Sequence, residues 1–131
     1  MNHLELVQKT IADLGEEMEK TIVLFYQRLF ELDPSLRSLF HNDLKVQQAK
    51  FLDTLNFIIE ELDSSRNIAE PVQQLGLRHR YYGVQDAHYQ TVAVALIWAL
   101  EQSLGGSFTN EVRVAWQQTY YLLAELMKKS N

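Results

Sequence analysis

The sequence predicts an all-α fold of about six to eight helices in a single domain, residues 1–131. Only five glycines and two prolines interrupt the chain, which is few for a β protein of this length. Apolar residues instead recur at intervals of three and four, the spacing that places them on one face of a helix. No segment has a convincing strand pattern, and no internal repeat or domain linker is visible. These observations together favour one compact helical domain.

Turn and cap residues divide the first half of the chain into helices. The first apolar segment breaks near Gly15, which predicts one helix before this glycine and a second helix after it. Asp33 followed by Pro34 predicts the start of a short helix, because an N-cap acceptor precedes a proline at the first helical position. A loop at 41–43 then leads into a long helix whose apolar face runs over 44–62.

The second half is divided in the same way. A polar break at 64–67 ends the long helix, and Asp86 is the expected N-cap of a later one. The run 92–100 is apolar all the way round, which is typical of a helix buried between neighbours. Two glycines stop that helix, and Ser107 or Thr109 is expected to start the last one.

Charge and composition exclude several classes of function. A net charge of −5 and an isoelectric point near 5.3 leave no basic stripe to neutralise phosphates, so nucleic acid is not an expected partner. The chain has no cysteine, which excludes disulfides and thiolate metal sites and suits a reducing cytoplasm. The N-terminus lacks the layout of a signal peptide, and the densest apolar stretch is about half of what a membrane span needs. We therefore expect a cytoplasmic protein that does not insert into membranes.

His79 is the most informative candidate metal ligand. It shares the apolar stripe of its helix with Leu75 and Tyr82, whereas Arg78 and Arg80 are expected to point towards solvent. A buried neutral imidazole can bind iron through one ring nitrogen while the other donates a hydrogen bond to a carbonyl. A hydrogen-bonded core histidine would show the same pattern. No two of the four histidines have the helical spacing that a two-histidine zinc site would use.

Tyr26 and Gln47 bring polar groups to apolar helix faces. Buried polar groups need partners, so either these two side chains satisfy each other or they face a cavity that holds a polar ligand. Phe40, at the end of the short helix, and Phe51, one turn after Gln47, are expected near the same place, although core packing explains each of them alone. The spacing does not choose between these alternatives.

Several short motifs carry a resemblance that covers almost the whole chain. They are FYQRLF at 25–30, DP at 33–34, LF at 39–40, LRHRYYGV at 77–84, AHY at 87–89, and AW at 115–116 followed by Tyr120. In this order they resemble the bacterial single-domain haemoglobins of the Vitreoscilla type and the globin domain of flavohaemoglobins. The resemblance implies a globin fold that holds one haem b, iron protoporphyrin IX.

The resemblance also implies a role for each candidate residue. His79 is the axial ligand of the haem iron, Tyr26 donates a hydrogen bond to bound O₂, and Gln47 is the distal residue above the iron. Tyr26 and Gln47 are thereby the candidate catalytic residues. The other implied haem-lining positions are Phe40, Phe51, Leu75, Val84, Tyr89, Val92 and Tyr120.

Reversible binding of O₂, and of NO and CO, is the activity that this resemblance implies, at an iron able to be pentacoordinate. The alternative is an NO dioxygenase for nitric oxide detoxification, which would need a separate flavin reductase because no reductase segment follows the globin. A haem-free or haem-based sensor module is a third interpretation, and the protein is expected to be a monomer or a homodimer. Two departures from the family stand out. Phe51 replaces the more usual leucine, and the chain ends at Asn131, where a proximal glutamate is common.

Overall fold

The computed structural model describes residues 2–40, 43–63 and 69–128, with the side chains of 61–63 and 69 outside the description. Within those ranges the chain is all-α, as predicted, and contains no strand. The six α-helices are α1 (His3–Leu14), α2 (Glu17–Leu32), α3 (Leu44–Asp63), α4 (Ala69–Tyr81), α5 (Asp86–Leu104) and α6 (Asn110–Lys128). Two short 3₁₀ helices cover Pro34–Leu39 and Gly105–Ser107.

Most of the predicted helix boundaries are confirmed by local hydrogen bonds. Gly15 ends α1 with a positive φ of 51°, a conformation that glycine adopts readily. The Asp33 carboxylate accepts from the backbone N–H of Ser35 at 3.1 Å and so caps the first 3₁₀ helix. The Thr109 hydroxyl likewise accepts from the N–H of Val112 at 3.2 Å at the start of α6. Residue 43 of the predicted loop at 41–43 precedes α3 and is not helical, whereas residues 41–42 and the polar break at 64–67 lie outside the described residues.

The predicted cap of α5 is wrong by one residue. Gln85, with extended backbone angles, occupies the N-cap position, and Asp86 is the first residue of the helix. The N–H of Gln85 donates to the Nδ1 atom of His88 at 2.9 Å, so the imidazole three residues later binds the backbone of the cap residue. In the first turn, the Asp86 carboxylate is instead favoured by the helix dipole.

The main core lies between four helices that form a frame. α2 packs mainly against α5, and α1 against α6. Small residues on α5 allow the close approach, since Ala95 and Ala99 are fully buried. The apolar run 92–100 was predicted to be buried on every side, and this prediction is wrong in part, because Val94 is 45% exposed. Deep in the frame, the indole N–H of Trp116 donates to the hydroxyl of Thr10 at 2.9 Å.

α3 and α4 stand beside this frame rather than inside it. α4 packs mainly against α6. A second, smaller buried cluster of Ile58, Val72 and Leu123 joins α3, α4 and α6, with Leu75 packed against it. An apolar-lined cleft of about 290 Å³ opens between α3 and α4 above that cluster. No helix in the described ranges is long and apolar enough to cross a membrane.

Candidate functional site

Tyr26 lies at the centre of an aromatic group formed by α2, α3 and the first 3₁₀ helix. Its side chain is only 2% exposed. The ring of Phe40 meets it edge-on with centroids 5.6 Å apart, and the ring of Phe51 does so at 6.0 Å. These are the separations at which aromatic pairs attract each other. The structure therefore brings three of the predicted site residues, Tyr26, Phe40 and Phe51, into direct contact.

Gln47 completes this group through a hydrogen bond to Tyr26. Burial raises the pKa of the Tyr26 hydroxyl to about 12, and the Gln47 side chain acts in the opposite direction by lowering that pKa. The two polar side chains therefore satisfy each other, which is one of the two alternatives that the sequence left open. The high pKa keeps the phenol protonated at neutral pH.

His79 is held in one orientation and one tautomer by its own helix. Its Nδ1 atom lies 2.8 Å from the backbone oxygen of Leu75, one turn earlier on α4. A carbonyl can only accept, so Nδ1 carries the proton and Nε2 keeps its lone pair. Burial lowers the pKa of His79, a shift opposed by the Leu75 hydrogen bond and reinforced by the positive charge of Arg78. The imidazole is therefore neutral at pH 7, the state that a metal ligand requires.

The end of α4 lies against the corner that carries Phe40. Gly83 has a φ of +99°, and a Cβ atom added there would come 3.4 Å from Leu39, the neighbour of Phe40. The N–H of Val84 donates to the backbone oxygen of His79 at 3.0 Å. Tyr82, which we placed on the apolar stripe with His79, is 55% exposed because the chain leaves the helix at this turn.

The remaining predicted residues lie on α5 and α6. The Tyr120 hydroxyl donates to the backbone oxygen of Tyr89 at 2.8 Å, and Tyr89 is 9% exposed. Burial raises the Tyr120 pKa, so this hydroxyl stays a donor. Val92 is partly buried against the main core. The predicted site residues thus form a distal contact group on α2 and α3, a His79 group on α4, and a Tyr89–Tyr120 pair.

Sequence reasoning missed two rings of the distal group. Phe25 stacks on Phe51 with centroids 5.0 Å apart, and Phe30 packs on Phe40 at 5.6 Å. Phe30 could have been found, because it lies four residues after Tyr26 and therefore on the same helix face. Phe25 carries no such spacing and belongs equally to the core.

The donor set and the walls fit a haem. A neutral imidazole with a free Nε2 lone pair is an axial ligand for haem iron. The cleft between α3 and α4 is bordered by Leu75 and Arg78, which precede His79 on α4, and by the apolar side chains of Phe57, Ile58 and Val72. Neither His79 nor the aromatic group around Tyr26 lines this cleft. A flat apolar molecule with an iron centre suits such surroundings better than a hydrated metal ion does.

Comparisons with known proteins agree with this architecture. The family model described as Globin matches residues 23–127. A flavohemoprotein of Xylella fastidiosa is 30% identical over 128 residues, which cover 95% of this chain and 32% of that protein. Neuroglobin-1 of Oncorhynchus mykiss is 27% identical over 139 residues, covering 95% of this chain and 87% of that protein. The chain thus spans about a third of the length of the flavohemoprotein.

Solved structures show the same likeness. An engineered carbene transferase, made from a candidate nitric oxide dioxygenase of Rhodothermus marinus, is 28% identical with a TM-score of 0.83, over 98% of this chain and 90% of that one. The flavohemoglobin of Malassezia yamatoensis with bound FAD and heme is 21% identical with a TM-score of 0.81, over 95% of this chain and 34% of that one. The second likeness concerns the fold alone. The chain belongs to the globin family.

Proposed function

We propose that this globin holds one haem b through the Nε2 atom of His79 and reversibly binds O₂, NO and CO. The haem would supply the iron at which these diatomic gases bind. The observation that carries the proposal is the 2.8 Å contact between His79 Nδ1 and the Leu75 oxygen, which leaves Nε2 as the free ligand atom. Membership of the globin family supports it.

Tyr26 and Gln47 would act on the bound gas. Because the Tyr26 pKa is about 12, its hydroxyl is protonated at neutral pH and can donate to an acceptor. O₂ draws electron density from ferrous iron, so a donor beside it stabilises the bound state, whereas CO gains little. The surrounding phenyl rings, among them Phe40 and Phe51, keep water from this donor. We expect tight, slowly released O₂.

The test compares visible spectra of the haem-reconstituted protein in its ferric, ferrous and O₂-exposed ferrous forms. His79→Ala should lose the wild-type ferrous spectrum and its response to O₂. His3→Ala, at an exposed position on α1, is the matched control and should leave both unchanged. If the wild type takes up no haem, or if the spectra survive in His79→Ala, the ligand assignment is wrong.

A second candidate is NO dioxygenation, supported by the similarity to flavohemoproteins and to the Rhodothermus marinus protein. Conversion of one NO and one O₂ to nitrate consumes one electron, which a separate flavin reductase would supply. Tyr26 would assist by stabilising negative charge on the reacting oxygen atoms. Nitrate formation in proportion to NO consumed, in the presence of a flavin reductase, distinguishes this activity from binding alone.

A further inference from the structure

An open groove of about 300 Å³ lies between α5 and α6, and the proposed function does not use it. α5 packs mainly against α2, and α6 mainly against α1 and α4, so α5 and α6 are not closely packed on each other. Their side chains line the groove from Gln90 to Glu101 on α5 and from Arg113 to Tyr121 on α6. Of the predicted haem-site residues, only Tyr120 borders it. The groove is therefore a surface feature separate from the proposed gas-binding site.

The walls of this groove are largely apolar and partly open to solvent. Ile97 and Trp98 of α5 line it together with Val94, which is 45% exposed. On the α6 side, Tyr121 is 46% exposed, and its neighbour Leu122 is 51% exposed. Exposed apolar side chains that cluster along one groove are typical of a surface that contacts another protein. Aromatic side chains such as that of Trp98 are enriched in such contacts.

The polar groups of the groove suit a second copy of the same chain. Among the described lining residues, the charged ones are Glu101 and Arg113, which bind each other at 2.7 Å at one end. Gln90 and Gln117 supply amides along the rest. An amide both donates and accepts hydrogen bonds, so it can pair with its own copy, whereas a charged side chain would meet a like charge. Because the chain carries a net charge of −5, its copies associate most easily at a neutral face.

Two-fold symmetry identifies the point at which like residues would meet. In a two-fold interface one patch contacts its own copy, so the axis passes through the centre of the patch. On α6 the lining residues extend from Arg113 to Tyr121, with Gln117 midway between them. On α5 the groove extends from Gln90 to Glu101, which is about 17 Å of helix. Two helix pairs facing each other over such a length would form a four-helix bundle.

We propose that two copies of this chain form a dimer through the α5–α6 groove, with the two-fold axis next to Gln117. Each copy would remove Val94 and Tyr121 of the other from water, and the two Gln117 amides would pair across the axis. The sequence left a monomer and a homodimer open, and this groove favours the homodimer. The inference does not rest on haem binding, so its test is separate from that of the proposed function.

Sedimentation equilibrium of the full chain over a concentration series, with and without haem, measures this association. We expect a reversible dimer of the wild type. Val94→Lys places an ammonium in the apolar groove and should weaken dimerisation roughly tenfold or more. Val46→Lys is the matched control, because Val46 is 48% exposed on α3, outside the groove, and this variant should dimerise as the wild type does. Far-UV circular dichroism checks that each variant keeps its helices.

Three results would overturn the proposal. The first is a wild type that stays monomeric into the millimolar range. The second is a Val94→Lys variant that dimerises with wild-type affinity, because the interface would then lie on another face. The third is a monomer that binds the apolar dye anilinonaphthalene sulfonate and loses this binding in Val94→Lys, because the groove would then hold a small ligand.

Charge variants of Gln117 test the position of the axis. Gln117→Glu and Gln117→Lys should each dimerise several-fold more weakly than the wild type, because like charges then meet at the axis. An equimolar mixture should recover association, since a carboxylate then faces an ammonium, and added salt should reduce both effects. Gln74→Glu and Gln74→Lys, at an exposed position on α4, are the controls and should associate like the wild type, alone or mixed. A mixture of the Gln117 variants that associates no better than either variant alone would overturn this arrangement.

Discussion

Replacing Tyr26 by phenylalanine tests the distal group most directly. The ring stays in its packed position, and only the hydroxyl, buried beside Phe40 and Phe51, is lost. A hydrogen bond to a partly charged acceptor contributes about 1.5–3 kcal/mol. The Gln47 amide, which loses its Tyr26 partner, can donate to the ligand instead and recover about 0.5–1.5 kcal/mol of this. Subtracting the lower figure from the lower and the upper from the upper leaves a net loss of about 1–1.5 kcal/mol, which corresponds to O₂ dissociation that is roughly 5- to 12-fold faster.

Stopped-flow measurement of O₂ and CO dissociation from the ferrous protein checks this magnitude. CO carries little negative charge, so its dissociation rate should change much less than that of O₂. Tyr121→Phe, at a 46% exposed position on α6, is the control for loss of a tyrosine hydroxyl elsewhere. Equal O₂ dissociation rates in Tyr26→Phe and the wild type would refute the reasoning, because the phenol would then not donate to the ligand.

Three further predictions concern stability. Thr10→Val leaves the buried indole N–H of Trp116 without its acceptor and should cost about 1–3 kcal/mol in urea unfolding; an unchanged midpoint would contradict this. Gly105→Ala should cost about 1–3 kcal/mol in the same assay because φ is +55°, whereas Gly106→Ala, with open space around it, should be nearly neutral. Above pH 10 the unfolded chain loses the Tyr26 proton before the folded one does, because the folded pKa is about 12. Unfolding free energy should therefore fall by up to roughly 2–3 kcal/mol between these pH values, and by less in Tyr26→Phe.

Local chemistry explains which boundaries could be predicted from sequence. Asp33 and Thr109 each cap a helix by accepting from an N–H two or three residues away, so neighbouring residues alone identify them. The start of α5 could not be placed in this way, because Asp86 and Gln85 both stand at plausible positions. The position of the helix start depends on the hydrogen bond from Gln85 to the His88 ring, and helix propensities do not predict that bond.

Contacts between helices could not be predicted from spacing. The pattern showed that Tyr26 and Gln47 each face inward, but only the packing of α2 against α3 shows that they bond to each other. The position of Lys128 over Tyr89 joins residues far apart in the chain, and a lysine in the last turn of a helix is usually explained by the helix dipole alone. The family resemblance identified the candidate site residues, and the structure shows which of them are in contact with one another.

The division between the frame and the pair α3–α4 bears on how such a protein can diverge. The frame of α1, α2, α5 and α6 holds most of the buried apolar core. Gln47 and Phe51 lie on α3, outside that frame and only partly buried. In the proposed gas-binding site, substitutions at these two positions would alter the choice of gas or its residence time while the packing of the frame persists. Selection can therefore act on ligand chemistry and on folding as nearly separate traits.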